Sequence, residues 1–291
     1  MKPVDFDYER PVSVDALCRR LAEAREDAKI IAGGQTLVPL LAMRLARPAL
    51  LLDINRIAAL DGIAAGDGFV AIRACTRQAA ALAHETVRSR AKLLAKALKH
   101  VGHGQTRNRG TIGGSIANAD PAAEIGLAAL ALDAALGVRS VRGERTIAIR
   151  DFFRGAMETA LAPDECLVEM RLPVWRDNAV GTGFHEMSVR HSDFALAAAA
   201  VQLALDAGGV CRRIAISIGG AAATPLRMAE AEKRLVGTRL EERDIADAGA
   251  LVRDAIAPLP DPHASALYRR RVAASLAERA IAEARDEARA A

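Results

Sequence analysis

Apolar and polar positions alternate along the first 55 residues in a way that predicts short strands separated by helices. Residues 14–24 carry an apolar residue every three or four positions, and Ser13 precedes them as a candidate N-cap, so a helix is predicted there. The apolar runs Lys29–Ala32 and Leu50–Ile54 are typical of buried strands, and residues 37–45 between them have helical spacing. The segment therefore predicts a small βαβ unit with parallel strands.

After residue 56 the pattern changes to shorter apolar runs separated by the turn-forming pairs Asp61-Gly62 and Asp67-Gly68. Such pairs are typical of hairpin turns, which favours an antiparallel sheet. The predicted elements are hairpin strands within 56–73, a helix over 86–101, a helix from Asp120-Pro121 to about Leu136, and strands over 146–153 and 166–172. Together they predict a mixed subdomain after the βαβ unit.

A polar stretch over Pro173–Asn178 predicts a domain boundary. The expected division is an N-terminal domain over 1–176, made of subdomains 1–55 and 56–176, and a C-terminal domain over 177–291. The second domain is predicted to contain strands over 183–189 and 213–218, a segment over 194–205 that suits either a helix or a strand, and helices. The charged segment 267–291 is predicted to be an amphipathic helix with an ordinary solvated face.

The composition is that of a globular protein, because 51% of the 291 residues are hydrophobic. No apolar run reaches the roughly 20 residues that a membrane-spanning helix needs, and the opening sequence MKPVDFDYER lacks the apolar stretch of a signal peptide. We therefore expect a soluble, cytoplasmic protein. The 40 basic and 36 acidic residues are interspersed, and aromatic residues make up only 3%, so nucleic-acid binding is not expected.

The four cysteines, Cys18, Cys75, Cys166 and Cys211, lie far apart and form no Cys-x-x-Cys pair. Zinc and iron–sulfur sites need clustered ligands, so neither is expected here, and four buried reduced thiols are the simpler interpretation. Any redox chemistry of the chain would then depend on a bound organic cofactor.

Two double-glycine segments carry the candidate chemistry. The first glycine segment is Ala32-Gly33-Gly34-Gln35-Thr36, and the second glycine segment is Thr111-Ile112-Gly113-Gly114-Ser115. Adjacent glycines allow backbone N–H groups to turn towards one point and let an anion approach without interference from a Cβ atom. A helix just after the first segment would add its N-terminal dipole. Each Gly-Gly pair alone also suits a tight turn, but two with matched flanks predict loops that grip one pyrophosphate from opposite sides.

Neither segment has the G-x-G-x-x-G or P-loop pattern, which disfavours a Rossmann domain and a P-loop. The resemblance to a known family rests on IIAGGQTLVPLL and RNRGTIGGSIANADPAAE, which together look like the FAD-binding medium subunit of the xanthine dehydrogenase and carbon monoxide dehydrogenase family of molybdenum hydroxylases. A third segment, GFHEMSVRHSDFA over Gly183–Ala195, is similar to the family segment that passes close to the flavin ring. The resemblance covers essentially the whole chain. It implies an α+β fold, with an FAD-binding domain of the vanillyl-alcohol-oxidase type and a small C-terminal domain with a three-stranded sheet and helices.

The resemblance also implies which residues contact the cofactor. Residues Ile31–Leu37 and Thr111–Ser115 would hold the FAD pyrophosphate, Glu124 would contact the sugar end, and Val101 and Leu167 would pack on the cofactor. His185 falls where the family has a residue beside the flavin or its diphosphate, often a lysine. Asn118 and Asp120 match the motif but could serve only to shape the loop and cap the helix. The implied cofactor-binding residues are Ile31, Ala32, Gly33, Gly34, Gln35, Thr36, Leu37, Val101, Thr111, Ile112, Gly113, Gly114, Ser115, Asn118, Glu124, Leu167 and His185.

Polar residues in the third segment invite a proton-transfer interpretation, because His185, Arg190, His191 and Asp193 lie within nine residues. A supporting or surface role is the alternative. Arg190 beside the flavin would favour the anionic reduced ring by charge attraction. Phe194 could border the isoalloxazine or be an ordinary core residue.

Basic residues just ahead of the second glycine segment have two interpretations. His100, His103, Arg107 and Arg109 could meet phosphate or an acidic partner. They could equally lie in a solvated loop.

The resemblance implies an electron-carrying subunit with no catalytic residues of its own for the organic substrate. Electrons would come from a substrate oxidised at the molybdenum cofactor of a large subunit, cross [2Fe–2S] clusters of a small subunit, reach this FAD and pass to an external acceptor. The implied assembly is a dimer of heterotrimers. Two alternatives stay open, a self-contained flavin-dependent reductase or oxidase of the same fold and a nucleotide-binding scaffold without redox turnover.

Overall fold

In the computed structural model, which describes residues 2–190, 192–258 and 260–291, the chain begins with a three-stranded parallel sheet in the order β1-β3-β2. Its elements are β1 (Asp7–Glu9), α1 (Val14–Ala24), β2 (Ala28–Ile31), α2 (Leu37–Ala42) and β3 (Leu50–Asp53). Helix α1 begins as predicted, since the Ser13 hydroxyl accepts a hydrogen bond from the Ala16 N–H group at 3.1 Å. The predicted βαβ unit is confirmed, although α2 ends three residues before the predicted end of its helix.

A five-stranded antiparallel sheet follows, in the order β4-β5-β10-β6-β7. Its strands are β4 (Ile63–Gly66), β5 (Phe69–Arg73), β6 (Ala135–Ser140), β7 (Gly143–Ala148) and β10 (Cys166–Pro173), and a small pair, β8 (Phe153–Gly155) and β9 (Glu158–Thr159), lies apart from it. The predicted hairpin turn at Asp67-Gly68 joins β4 to β5.

Six helices connect β5 to β6: α3 (Gln78–Ala83), α4 (Glu85–Arg90), α5 (Lys92–His100), α6 (Gly104–Arg109), α7 (Ile112–Asn118) and α8 (Glu124–Ala131). The single helix predicted over 86–101 is wrong, because Ala91 leaves the helical conformation between α4 and α5. The helix predicted to reach Leu136 is too long, because the left-handed Asp133 (φ 51°) ends it and Leu136 belongs to β6.

The C-terminal sheet has the order β11-β12-β13-β14 and consists of β11 (Ala179–Ser188), β12 (Ala195–Leu205), β13 (Cys211–Gly219) and the two-residue β14 (Leu226–Arg227). Helices α9 (Ala229–Leu235), α10 (Glu242–Ala255) and α11 (Ala266–Arg289) follow. The alanine-rich segment that suited either a helix or a strand is therefore a strand. All of β12 is buried, because α5 and α8 cover one face of the sheet while α11 covers the other, with α10 packed against α11.

The two halves of the chain share a core and are also joined by polar contacts. Phe184 of β11 packs in the same hydrophobic cluster as α5 and α8. The Lys96 ammonium of α5 donates to the Thr182 carbonyl oxygen at 2.5 Å and to the carboxylates of Glu283 and Glu287 at 2.7 and 2.6 Å. The C-terminal sheet is thus held firmly against α5 and α8, the helices on either side of the second glycine segment in the chain. Among the described residues, no helix combines the length and apolar character needed to cross a bilayer.

Candidate functional site

A cavity of about 660 Å³ opens between the two glycine segments. Fourteen of the seventeen residues predicted to bind a cofactor line it, and these are Ala32, Gly33, Gly34, Gln35, Thr36, Leu37, Val101, Thr111, Gly113, Gly114, Ser115, Asn118, Glu124 and Leu167. The volume is within the range of roughly 300–1,000 Å³ that ligand pockets occupy. The fold therefore brings together most of a residue set that is spread over more than 130 positions of the chain, from Ala32 to Leu167.

The first glycine segment turns between β2 and α2 and leaves its donors free. Gly34 has φ of +71°, a left-handed conformation that glycine adopts without strain. Among the described residues, the backbone N–H groups from Gly33 to Leu37 donate no hydrogen bond, and Thr36 at the N-cap of α2 provides no side-chain cap. A row of unpaired N–H groups at the start of a helix is suited to an anion such as a diphosphate.

The first glycine segment packs against the two residues that precede the second. A Cβ atom added to Gly33 would lie 2.5 Å from the Arg109 carbonyl oxygen and 2.8 Å from the Gly110 Cα atom. A Cβ atom added to Gly114 would lie 3.9 Å from the Ala32 side chain. The absence of a side chain at Gly33 therefore sets how closely the two walls of the cavity approach, whereas a Cβ atom at Gly114 would make only an ordinary contact with Ala32.

The second glycine segment differs from its prediction, since it is the first turn of α7 and not a loop. The Thr111 hydroxyl caps this helix by accepting from the Gly114 N–H group at 3.1 Å. The Gly113 N–H group donates to the Ala74 carbonyl oxygen at 2.8 Å, and the Ile112 N–H group donates to the Thr76 carbonyl oxygen at 3.0 Å. The expectation that both segments aim free N–H groups at one point is therefore wrong for the second, whose donors are used within the protein.

Three predicted residues do not line the cavity. Ile112, the first residue of α7, is fully buried, and Ile31 is the last residue of β2. His185 lies on β11, where its Nε2 atom is 3.1 Å from the Glu283 carboxylate of α11. His185 thus lies outside the cavity lining, and its contact with the flavin or its diphosphate stays a prediction.

Glu124 contributes the titratable carboxyl group at the end of the cavity near α8. Burial raises the pKa of Glu124 to about 7, and the charge of nearby Glu186 adds to this effect. His100 Nδ1 lies 3.4 Å from the carboxylate of Glu186, which raises the pKa of His100. Of the four basic residues ahead of the second segment, His100 therefore pairs with a carboxylate of the protein. Arg107 also has partners within the protein, because its guanidinium donates to the Val101 and Gly102 carbonyl oxygens at 2.8 and 2.7 Å.

The third segment forms part of the cavity rim through Ser192, Asp193 and Phe194. The Phe194 residue is 75% exposed, so the core interpretation is wrong and the ring is available to a ligand. Arg190 is exposed and lies outside the cavity lining. Its Nε atom is 3.1 Å from the Asp193 carboxylate, so its charge is already paired and acts less on a ligand. The prediction for His191 lies outside the described residues.

Sequence reasoning missed Gln78, a lining residue that is only 5% exposed. Its Nε2 atom donates to the Thr111 carbonyl oxygen at 3.4 Å, and its Oε1 atom has no hydrogen-bond partner among the described residues. A buried amide oxygen without a partner is unfavourable, so a donor from a ligand would satisfy it. No local pattern marks Gln78, because it reaches the cavity only through the pairing of Arg77 with Thr111 across the fold.

Comparison with known families gives two matches in sequence order. Residues 4–175 match the FAD binding domain in molybdopterin dehydrogenase, and residues 182–284 match the CO dehydrogenase flavoprotein C-terminal domain. Together the two families span almost the whole chain.

Individual relatives match over nearly their full length. The chain is 42% identical to the 6-hydroxypseudooxynicotine dehydrogenase complex subunit alpha of Paenarthrobacter nicotinovorans, covering 99% of this chain and 97% of that protein. It is 38% identical to the caffeine dehydrogenase subunit beta of Pseudomonas sp. (strain CBB1), covering 98% and 97%. A solved structure of reconstituted CO dehydrogenase from Oligotropha carboxidovorans is similar with a TM-score of 0.96 and 35% identity, covering 99% of this chain and 100% of that chain.

Proposed function

Since the chain belongs to the family of FAD-binding medium subunits of molybdenum hydroxylases, we propose that it is the electron-transferring subunit of such a complex. Its partners are a large subunit with the molybdenum cofactor and a small subunit with [2Fe–2S] clusters. Bound FAD supplies the redox chemistry, accepting electrons from those clusters and releasing them to an external acceptor. The part of this chain is to bind the cofactor, orient it and set the charge around it.

The observation that carries the proposal is the row of unpaired N–H groups from Gly33 to Leu37. The FAD pyrophosphate carries two negative charges, and several backbone donors at a helix start stabilise such a group without any basic side chain. Gly33 also supports the fit, because its missing Cβ atom lets this row of donors pack closely against the Arg109 backbone.

The second glycine segment forms a wall of the proposed site and does not present a row of free N–H donors. Gly114 faces Ala32 across the cavity, and the Ser115 hydroxyl, which makes no hydrogen bond among the described residues, can donate to the cofactor. Glu124 can hold a proton near neutral pH and so exchange hydrogen bonds with a sugar hydroxyl. We propose as cofactor contacts the fourteen predicted residues that line the cavity, together with Gln78.

The relatives support a role that is independent of the organic substrate. One is a subunit of a 6-hydroxypseudooxynicotine dehydrogenase complex and another is a subunit of a caffeine dehydrogenase, yet both match this chain over nearly all of its length. A subunit whose fold persists while the named substrate changes is suited to electron transfer. The division into domains 1–176 and 177–291, the dimer of heterotrimers and the cytoplasmic location remain predictions.

The proposal is tested on the complex that forms when this chain is produced with its large and small partners. FAD is removed from one half of the preparation, and both halves are mixed anaerobically with the organic substrate. We expect the iron–sulfur clusters to be reduced in both halves, whereas reduction of an external acceptor needs FAD and returns when FAD is added back. Oxidation of an organic substrate by this chain alone would instead identify a self-contained flavoenzyme, and a colourless chain at full nucleotide occupancy would identify a scaffold.

A further inference from the structure

A hydrogen-bonded link outside the cavity lining joins the two glycine segments. Asn55, two residues after β3, donates from Nδ2 to the Ala32 carbonyl oxygen at 2.8 Å. Arg77 donates from Nη2 to Asn55 Oδ1 at 2.7 Å and from Nη1 to the Arg109 carbonyl oxygen. Ala32 opens the first segment, and Arg109 lies two residues before the second. The side chains of Asn55 and Arg77 therefore tie the two walls of the cavity together.

The orientation of Asn55 is fixed by Asp53. Asp53 Oδ1 accepts from the Asn55 N–H group at 2.9 Å and from Asn55 Nδ2 at 2.6 Å, while its Oδ2 accepts from the Tyr8 hydroxyl. Burial alone would raise the pKa of Asp53, but the hydrogen bonds from Tyr8 and Asn55 bring it below its ordinary value, so the carboxylate is a strong acceptor. Every polar atom of the Asn55 side chain thus has a partner of the matching kind.

The carbonyl group that Arg77 holds is the one against which Gly33 packs. A Cβ atom at Gly33 would lie 2.5 Å from the Arg109 carbonyl oxygen, so a shift of this carbonyl changes the contact between the two segments. At the other end, Asn55 holds the carbonyl of Ala32, directly before Gly33.

We propose that Asn55 and Arg77 are positioning residues that set the spacing between the two glycine segments and thereby the affinity of the chain for FAD. The proposal rests on the proposed function, in which FAD occupies the cavity. It extends that function to two side chains that do not line the cavity.

Asn55 and Arg77 lie at positions where they contribute little to the folding stability of the chain. Asn55 is exposed and Arg77 is partly buried, and neither belongs to a hydrophobic cluster. Exposed polar links contribute little to folding, whereas misplacing a binding group by even a small distance weakens binding strongly. We therefore expect FAD affinity to change much more than the stability of the chain without FAD.

The test is a double-mutant cycle on the full-length chain, with FAD affinity measured by titration calorimetry. Asn55→Ala and Arg77→Ala should each weaken FAD binding about 10-fold, as is typical when a supporting hydrogen bond behind a ligand site is removed. Because both changes break the same link, the double variant should also be weakened only about 10-fold, and not about 100-fold. Thermal unfolding of each variant without FAD should stay close to that of the unmodified chain.

Two further variants separate geometry from charge and from surface effects. Arg77→Lys keeps the positive charge but cannot span both acceptors with a planar fork, so it should weaken binding almost as much as Arg77→Ala. Arg73→Ala is the matched control, because Arg73 is a half-exposed arginine of β5 that pairs with Glu169 at 2.9 Å and contacts neither glycine segment. It should leave FAD affinity unchanged.

The outcomes distinguish this proposal from the function on which it rests. If the unmodified chain binds no FAD, the proposed function fails. If the unmodified chain binds FAD but the variants bind it equally well, or the two losses multiply fully, or Arg77→Lys behaves like the unmodified chain, the positioning role is wrong. Weakened binding that is matched by an equal loss of stability without FAD would also overturn it, in favour of a general structural role.

Discussion

Replacing Gly33 by alanine tests whether the close approach of the two glycine segments is needed for cofactor binding. The new Cβ atom would lie 2.5 Å from the Arg109 carbonyl oxygen and 2.8 Å from the Gly110 Cα atom. Both are backbone atoms, so neither can turn aside as a flexible side chain would. The contact can be relieved only if the two segments move apart.

The size of the effect follows from these distances. Non-bonded carbon atoms and their neighbours touch at roughly 3.5 Å, so the 2.5 Å contact requires a separation of about 1 Å. Overpacking of this kind costs about 1–3 kcal/mol of folding free energy. A misplacement of about 1 Å between binding groups can cost about 100-fold in function, so we expect Gly33→Ala to bind FAD about 100-fold more weakly.

The assay is a titration of the FAD-free chain followed by the quenching of flavin fluorescence. Gly104→Ala is the matched control, because a Cβ atom at Gly104 meets nothing within 4 Å and the residue is the first of helix α6. The control should bind FAD as the unmodified chain does. A folded Gly33→Ala variant whose FAD affinity lies within about threefold of the control, a difference of less than about 1 kcal/mol, would show that the close approach is not needed.

Three further predictions concern charge and burial. The pKa of Glu124 is about 7 in the folded chain, whereas a glutamate free of the fold has a pKa of 4.5. Between these values the folded chain keeps a proton that the unfolded chain loses. The free energy of unfolding therefore falls as the pH rises from about 4.5 to 7. Glu124→Gln should remove this loss of unfolding free energy, which is at most about 3 kcal/mol. Urea unfolding of the FAD-free chain should therefore show a more stable variant at about pH 8 but not at about pH 4.5. Lys96→Met should lower the unfolding free energy by about 1–3 kcal/mol because it removes the donor that two carboxylates and the Thr182 carbonyl share, whereas Arg88→Met, which breaks an exposed ion pair, should cost less than about 0.5 kcal/mol. Burial raises the pKa of Cys75 to about 12. This thiol should therefore resist a thiol reagent in the folded chain and react after unfolding. Rapid reaction of Cys75 in the folded chain would contradict its burial.

Local sequence chemistry was sufficient where an element is fixed by its own residues. Ser13 caps α1 through its own hydroxyl, and the apolar runs of β2 and β3 are short and continuous, so the βαβ unit and the first glycine segment were predictable. The family resemblance was confirmed by matches over nearly the whole chain.

Tertiary contacts decided the elements that the sequence did not reveal. Two adjacent glycines disfavour a helix, yet the second glycine segment is helical because Gly113 donates to Ala74 of a distant loop and Thr111 caps the turn. The alanines of β12 suit a helix by propensity, but the strand is stable because both of its faces are covered by helices. Gln78 could not be found for the same reason, since only folding brings it beside Thr111.

We propose that the cavity between the two glycine segments binds one FAD. The most direct test is a calorimetric titration of FAD into the FAD-free, full-length chain, with Gly33→Ala measured in parallel. We expect one FAD to bind per chain with the yellow colour of oxidised flavin, and a large loss of affinity in the variant. A chain that takes up no FAD, or binds it equally well after Gly33→Ala, would show that FAD does not bind between the two glycine segments.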